Sequence, residues 1–138
     1  MKRFEIEYLG EKVLVEAKVE SYKVRDLSRK NRRGLCVKLV EISQIDGNEL
    51  QVPYATITKS FEEFIGIKNA AYVDLNNCPF AKKLLDMQVA QETLLSKENG
   101  YCIYPLWLFD EDFLKEIGGE KYRAYSDSFD KYVKECCA

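Results

Sequence analysis

From its first residues the chain alternates apolar and charged positions. Phe4, Ile6 and Tyr8 fall between Arg3, Glu5 and Glu7, and after Gly10 the apolar set Val13, Val15, Ala17 and Val19 runs against Glu16, Lys18 and Glu20. A period of two sends successive side chains to opposite faces of a strand, so this segment predicts an antiparallel hairpin with one wet face. Beyond a polar loop, Leu35, Val37 and Leu39 resume the alternation. The residues Ile45, Asp46, Gly47 and Asn48 then supply the tolerance for positive φ that a second hairpin turn needs. Its partner strand is expected over 49–58. There the apolar phase moves from Leu50 and Val52 to Ala55 and Ile57 across Pro53, which predicts an edge position or a bulge.

After a connector at 61–68, Ala71, Val73 and Leu75 predict a short strand leading into a helix. Asn77 is placed to cap that helix, Pro79 suits its first turn, and Phe80, Leu84 and Met87 recur at helical spacing. Residues 101–109 read as a last strand, and Pro105 predicts a peripheral position for it. From Asp110 onward the period becomes helical. Phe113, Leu114 and Ile117 precede a stop at Gly118 and Gly119, and Phe129, Tyr132, Val133 and Cys136 continue the pattern, giving two short helices. The expected fold class is α+β: a mostly antiparallel meander sheet, one packed helix and a short helical C-terminus. A single domain over 1–138 is expected, with sheet and central helix in 1–110 and a helical tail in 111–138.

Three runs carry a resemblance. Residues 54–58 (YATIT), 72–79 (YVDLNNCP) and 100–105 (GYCIYP), in this order and spacing, resemble an uncharacterised family of small proteins carried on conjugative, plasmid and phage-like elements of bacteria. The resemblance covers the chain up to Asp110 and leaves out the basic stretch 25–33 and the tail. It implies a mobile-element setting and brings no activity, cofactor or catalytic residue with it.

Composition narrows the chemistry. With 138 residues, 46% of them hydrophobic, the chain is long enough to bury a core without staples. No run approaches the roughly 18 apolar residues that cross a bilayer, and Met1, Lys2 and Arg3 lead into alternating charge, so a soluble, cytoplasmic protein with no membrane partner is expected. The chain contains 0 histidines, which removes imidazole as base and as metal ligand. The cysteines, at 36, 78, 102, 136 and 137, show no paired CxxC spacing, so reduced thiols and no metal are expected. The glycines match neither the dinucleotide fingerprint nor the P-loop, and no cofactor is expected.

Three surfaces remain as candidates. Arg25, Arg29, Lys30, Arg32 and Arg33 stand in a loop opposed only by Asp26; as a mobile basic arm or a long turn they would pair with RNA or DNA phosphates, or with a partner. The net charge of −2 speaks against a dedicated nucleic-acid binder. Asp110, Glu111, Asp112 and Glu116 form an acidic segment that serves either as a helix cap or as a surface for a basic partner. Trp107 and Tyr104 are candidate aromatic anchors, with core packing as the plainer alternative. Cys78, in the first turn of the expected helix, would be the nucleophile of a thiol-dependent enzyme, although burial would oppose its ionisation. The leading expectation is a non-enzymatic interaction module of a mobile element that binds a host or element protein, such as a defence complex. Nucleic-acid binding through 25–33 is the alternative and a Cys78 enzyme the third reading.

Overall fold

Turn chemistry organises the first half of the chain. Leu9 and Gly10, at φ 52° and 80°, join β1 (Arg3–Tyr8) to β2 (Glu11–Arg25). Asp46 and Gly47, at φ 51° and 77°, join β3 (Asn31–Ile45) to β4 (Asn48–Thr56). Two consecutive positive φ values give the two-residue turn whose twist matches that of antiparallel strands. The computed structural model describes residues 2–136, so Cys137 lies outside the described residues. Its first sheet has four antiparallel strands in the order β1-β2-β3-β4. Val40 pairs with Pro53 and Leu39 with Ala55, leaving Tyr54 as the extra residue of a bulge on an edge strand. Both outcomes expected of Pro53 are therefore realised.

At Ile57, which is fully buried, the chain changes sheets. Its N–H donates to the Val37 carbonyl (3.0 Å), and its carbonyl accepts from the Asp74 N–H (2.8 Å). Next to it, the Thr58 hydroxyl accepts from the Val37 N–H (3.1 Å). The second sheet, also antiparallel, has the order β5-β6-β8-β7, with β5 Thr58–Lys59, β6 Ala70–Val73, β7 Ala90–Asn99 and β8 Cys102–Phe109. The α+β class with mostly antiparallel strands is as expected.

Several local readings need correction. The helix at Pro79 is a 3-10 turn (Pro79–Lys82) followed by one turn of α1 (Lys83–Asp86), and it ends before Gln88, whose φ is 61°. Asn77 does not cap it; Asp74 holds the turn by accepting from the Asn77 side-chain amide (2.8 Å) and backbone N–H (3.2 Å). Strand β7 has no alternating pattern to betray it. Because β7 pairs along β8, β8 is an interior strand and not a peripheral one. Pro105 is tolerated there because β6 reaches only Leu106–Leu108, so Pro105 has a strand partner on one side alone, Ser96 of β7, where the register resumes after its interruption.

Helix α2 (Glu111–Gly118) begins where expected, with the Asp110 carboxylate accepting from the Phe113 N–H (3.0 Å). Helix α3 (Glu120–Cys136) is longer than a short tail and docks through Tyr122, Tyr125 and Phe129. The core lies between the sheets and these helices: Val15, Val37 and Leu39 from the first sheet meet Val73, Trp107 and Phe109 from the second and Leu114 from α2. Each such side chain contributes about 1.5–3 kcal/mol by leaving water. Among the described residues no helix is long and apolar enough to cross a membrane.

Candidate functional site

Asp26, the one acid within the basic stretch, organises it. Its Oδ1 accepts from the Ser28 N–H (2.9 Å), the Ser28 hydroxyl (3.0 Å) and the Lys30 N–H (3.0 Å), which closes a tight turn with Arg29 at φ 64°. Arg25 is anchored by its backbone, donating to Glu62 and accepting from Phe64. The Arg32 side chain is only 3% exposed: Nε donates to Asp26 Oδ2 (2.9 Å), Nη2 donates to Glu135 Oε2 (2.8 Å), and the guanidinium lies 5.3 Å from the Tyr132 ring. Lys30 also pairs with Glu135. Hence Arg32 is not a surface group for phosphates; it ties the end of α3 to the β2–β3 turn. Arg25, Arg29 and Arg33 remain exposed. Although burial opposes it, hydrogen bonds from the Lys30 N–H, the Arg32 guanidinium and Ser28 hold the Asp26 carboxyl down at about 2.

The acidic segment stays at the surface. Asp110 caps α2, Glu111 faces Lys115 at 3.8 Å, and Asp112 and Glu116 are exposed. These residues stand near the start of the 17-residue α3, whereas the basic turn meets its end at Glu135. At 1.5 Å per residue, Glu120 at the start of α3 and Glu135 at its end are about 22 Å apart, and the basic stretch also reaches α3 at Ser128, whose hydroxyl accepts from the Arg33 N–H.

Of the two readings of Trp107 and Tyr104, core packing is the one the structure bears out, and neither is a surface anchor. Trp107 is 1% exposed and sits in the core, because β8 carries neighbours on both edges and both faces. Its indole N–H has no acceptor among the described residues. Tyr104 is buried beneath Phe61, with ring centroids 5.2 Å apart.

A surface that the sequence did not single out lies on the β7–β8 hairpin. Leu94 and Tyr101 are fully exposed, and Leu95 and Ile103 are more than half exposed. Leu94 sits in the bulge where β7 leaves its register with β8. The Thr93 hydroxyl donates there to the Leu106 carbonyl (2.7 Å) and accepts from the Leu95 N–H (3.1 Å). β7 is also the free edge of its sheet. The available signal was the Leu94-Leu95 pair inside the otherwise polar run 90–99.

Cys78 is 4% exposed and its thiol donates to the Thr56 carbonyl at 3.6 Å. Burial, with a smaller push from the Asp74 carboxylate, raises it to about 11, so at neutral pH it is a thiol and not a thiolate. Burial also raises Cys36. Among the described residues no three Cys, Asp or Glu side chains converge as a metal site. Compared with protein-family models, with curated proteins and with solved structures, the chain finds no match.

Proposed function

We propose that this chain is a non-enzymatic interaction module that binds a partner protein through the β7–β8 hairpin. The observation that carries this reading is the concentration of Leu94, Leu95, Tyr101 and Ile103, all exposed, on one edge hairpin. Scattered exposed apolar residues are ordinary, but four on one hairpin at an unpaired sheet edge favour an interaction surface, and Tyr is enriched among interface hot spots. Polar neighbours Glu92, Ser96 and Glu98 would form the rim of such an interface. The resemblance to mobile-element proteins supplies the setting, with a host or element protein, such as a defence complex, as the partner. The buried, protonated Cys78 argues against the thiol-enzyme reading. Burial of Arg32 and pairing of Lys30 weaken the nucleic-acid reading.

The test is affinity capture from cells carrying a defence system, with wild type, a Leu94→Glu/Ile103→Glu variant and an Arg29→Glu/Arg33→Glu variant side by side. A stoichiometric protein lost only with the hairpin variant is the expected result. Capture unaffected by the hairpin change, or recovery of nucleic acid that the arginine variant abolishes, would overturn the reading.

A further inference from the structure

A cavity of about 250 Å³ lies between the second sheet, the connector after β5 and the far ends of β2 and β3. Its walls include Tyr22, Phe61, Tyr72 and Leu106. Phe61 is set edge-on between Tyr72 (5.5 Å) and Tyr104 (5.2 Å), so this wall is formed before anything enters. The Tyr22 hydroxyl is already committed, donating to the Thr58 carbonyl at 3.0 Å. The lining therefore presents ring faces and aliphatic carbon on one side, with Ser60 and the charged Arg33, Lys59 and Glu63 on the other.

Charge at the opening is one-sided. Arg33 and Lys59 line the cavity and are exposed, which marks its open side, and neither is ion-paired among the described residues. Glu63 also lines it, but its carboxylate is held by Lys97 at 3.0 Å, with the same ammonium 5.0 Å from the Phe61 ring. Two uncompensated cations beside an aromatic cavity complement a ligand that is apolar at one end and anionic at the other. Size limits it further. A dry apolar cavity of about 150 Å³ accommodates benzene, so this one has room for roughly ten non-hydrogen atoms.

The geometry points to a binding site for a small aromatic monocarboxylate, its ring against the wall of Phe61, Tyr72 and Leu106 and its carboxylate toward Arg33 and Lys59. Leu95 of the hairpin surface also lines this cavity, whereas Phe61, Tyr72, Arg33 and Lys59 lie outside the hairpin. Phenylacetate, with ten non-hydrogen atoms, is the probe, and phenylacetamide is its neutral isostere. Amide resonances of the ¹⁵N-labelled protein are followed as each is titrated to millimolar concentration. Phenylacetate is expected to shift the amides of Gly34, Phe61, Tyr72 and Leu106 and to bind about tenfold more tightly than phenylacetamide. An Arg33→Gln/Lys59→Gln variant, altered only at exposed positions, is expected to lose that preference while still taking the amide. No shifts at these residues, shifts confined elsewhere, equal affinity for acid and amide, or a preference that survives in the double variant would each overturn the assignment.

Discussion

Gly118 and Gly119 end α2 side by side, yet they are glycines for different reasons, and replacing Gly118 with Ala exposes the difference. A Cβ at Gly118 would lie 2.5 Å from Tyr122 Cβ and 3.0 Å from Val19 Cβ. Carbon atoms pack at about 3.5–4.0 Å, so α2 must move away from both α3 and β2. Val19 Cγ2 also lies at 3.0 Å, but because each partner obstructs with its Cβ, no rotamer change on either gives relief. At contacts this short the overpacking cost lies in the upper part of its usual range, about 2–3 kcal/mol, and the gain in helix propensity from Gly to Ala offsets about 1 kcal/mol of it. The expected net loss is about 1–2 kcal/mol. With a urea m-value near 2 kcal/mol/M, the unfolding midpoint should fall by roughly 0.5–1 M. At Gly119 a Cβ meets nothing within 4 Å, but φ is 49°. Gly119→Ala should therefore lose stability by backbone strain alone, about 1–3 kcal/mol. Larger residues should then be progressively worse at 118 and nearly equivalent to Ala at 119. A Gly118→Ala protein as stable as wild type would refute the reasoning, since it would mean that α2 does not approach β2 this closely.

Other outcomes follow from the same structure. In the native protein at pH 8, Ellman's reagent should label exposed Cys136 early, while buried Cys36 and Cys78 react only on unfolding; Cys78 labelled as fast as Cys136 would contradict its raised pKa. Asp26 titrates at about 2 when folded against 3.8 ordinarily, so its stabilisation is complete above about pH 4 and is lost as pH falls through 2. Urea midpoints measured from pH 5 to pH 2 should show this loss, and Arg32→Met should reduce it by removing one of the donors to the carboxylate. An identical acid profile in the variant would mean that Arg32 does not hold Asp26.

The residue order by itself determined whatever depends on neighbours in the chain. The hairpin turns at Leu9-Gly10 and Asp46-Gly47, the disturbance at Pro53, the Asp110 cap and the stop at Gly118-Gly119 all act within a few residues, so composition and period reveal them. Part of the candidate chemistry was legible in the same way, because burial of Cys78 follows from the apolar residues around it. Partners distant in sequence could not be read. Arg32 looks like one of a row of surface cations until Glu135, far along the chain, closes over it. Trp107 looks like an anchor until β7, a run without alternation, is added beside β8 and makes that strand interior. The exposed Leu94, Leu95, Tyr101 and Ile103 are the converse, since apolar side chains carry no local mark of having been left uncovered. Local rules fix backbone conformation through short-range sterics and hydrogen bonds, whereas exposure is set by which remote segments pack together, and only the tertiary structure decides that.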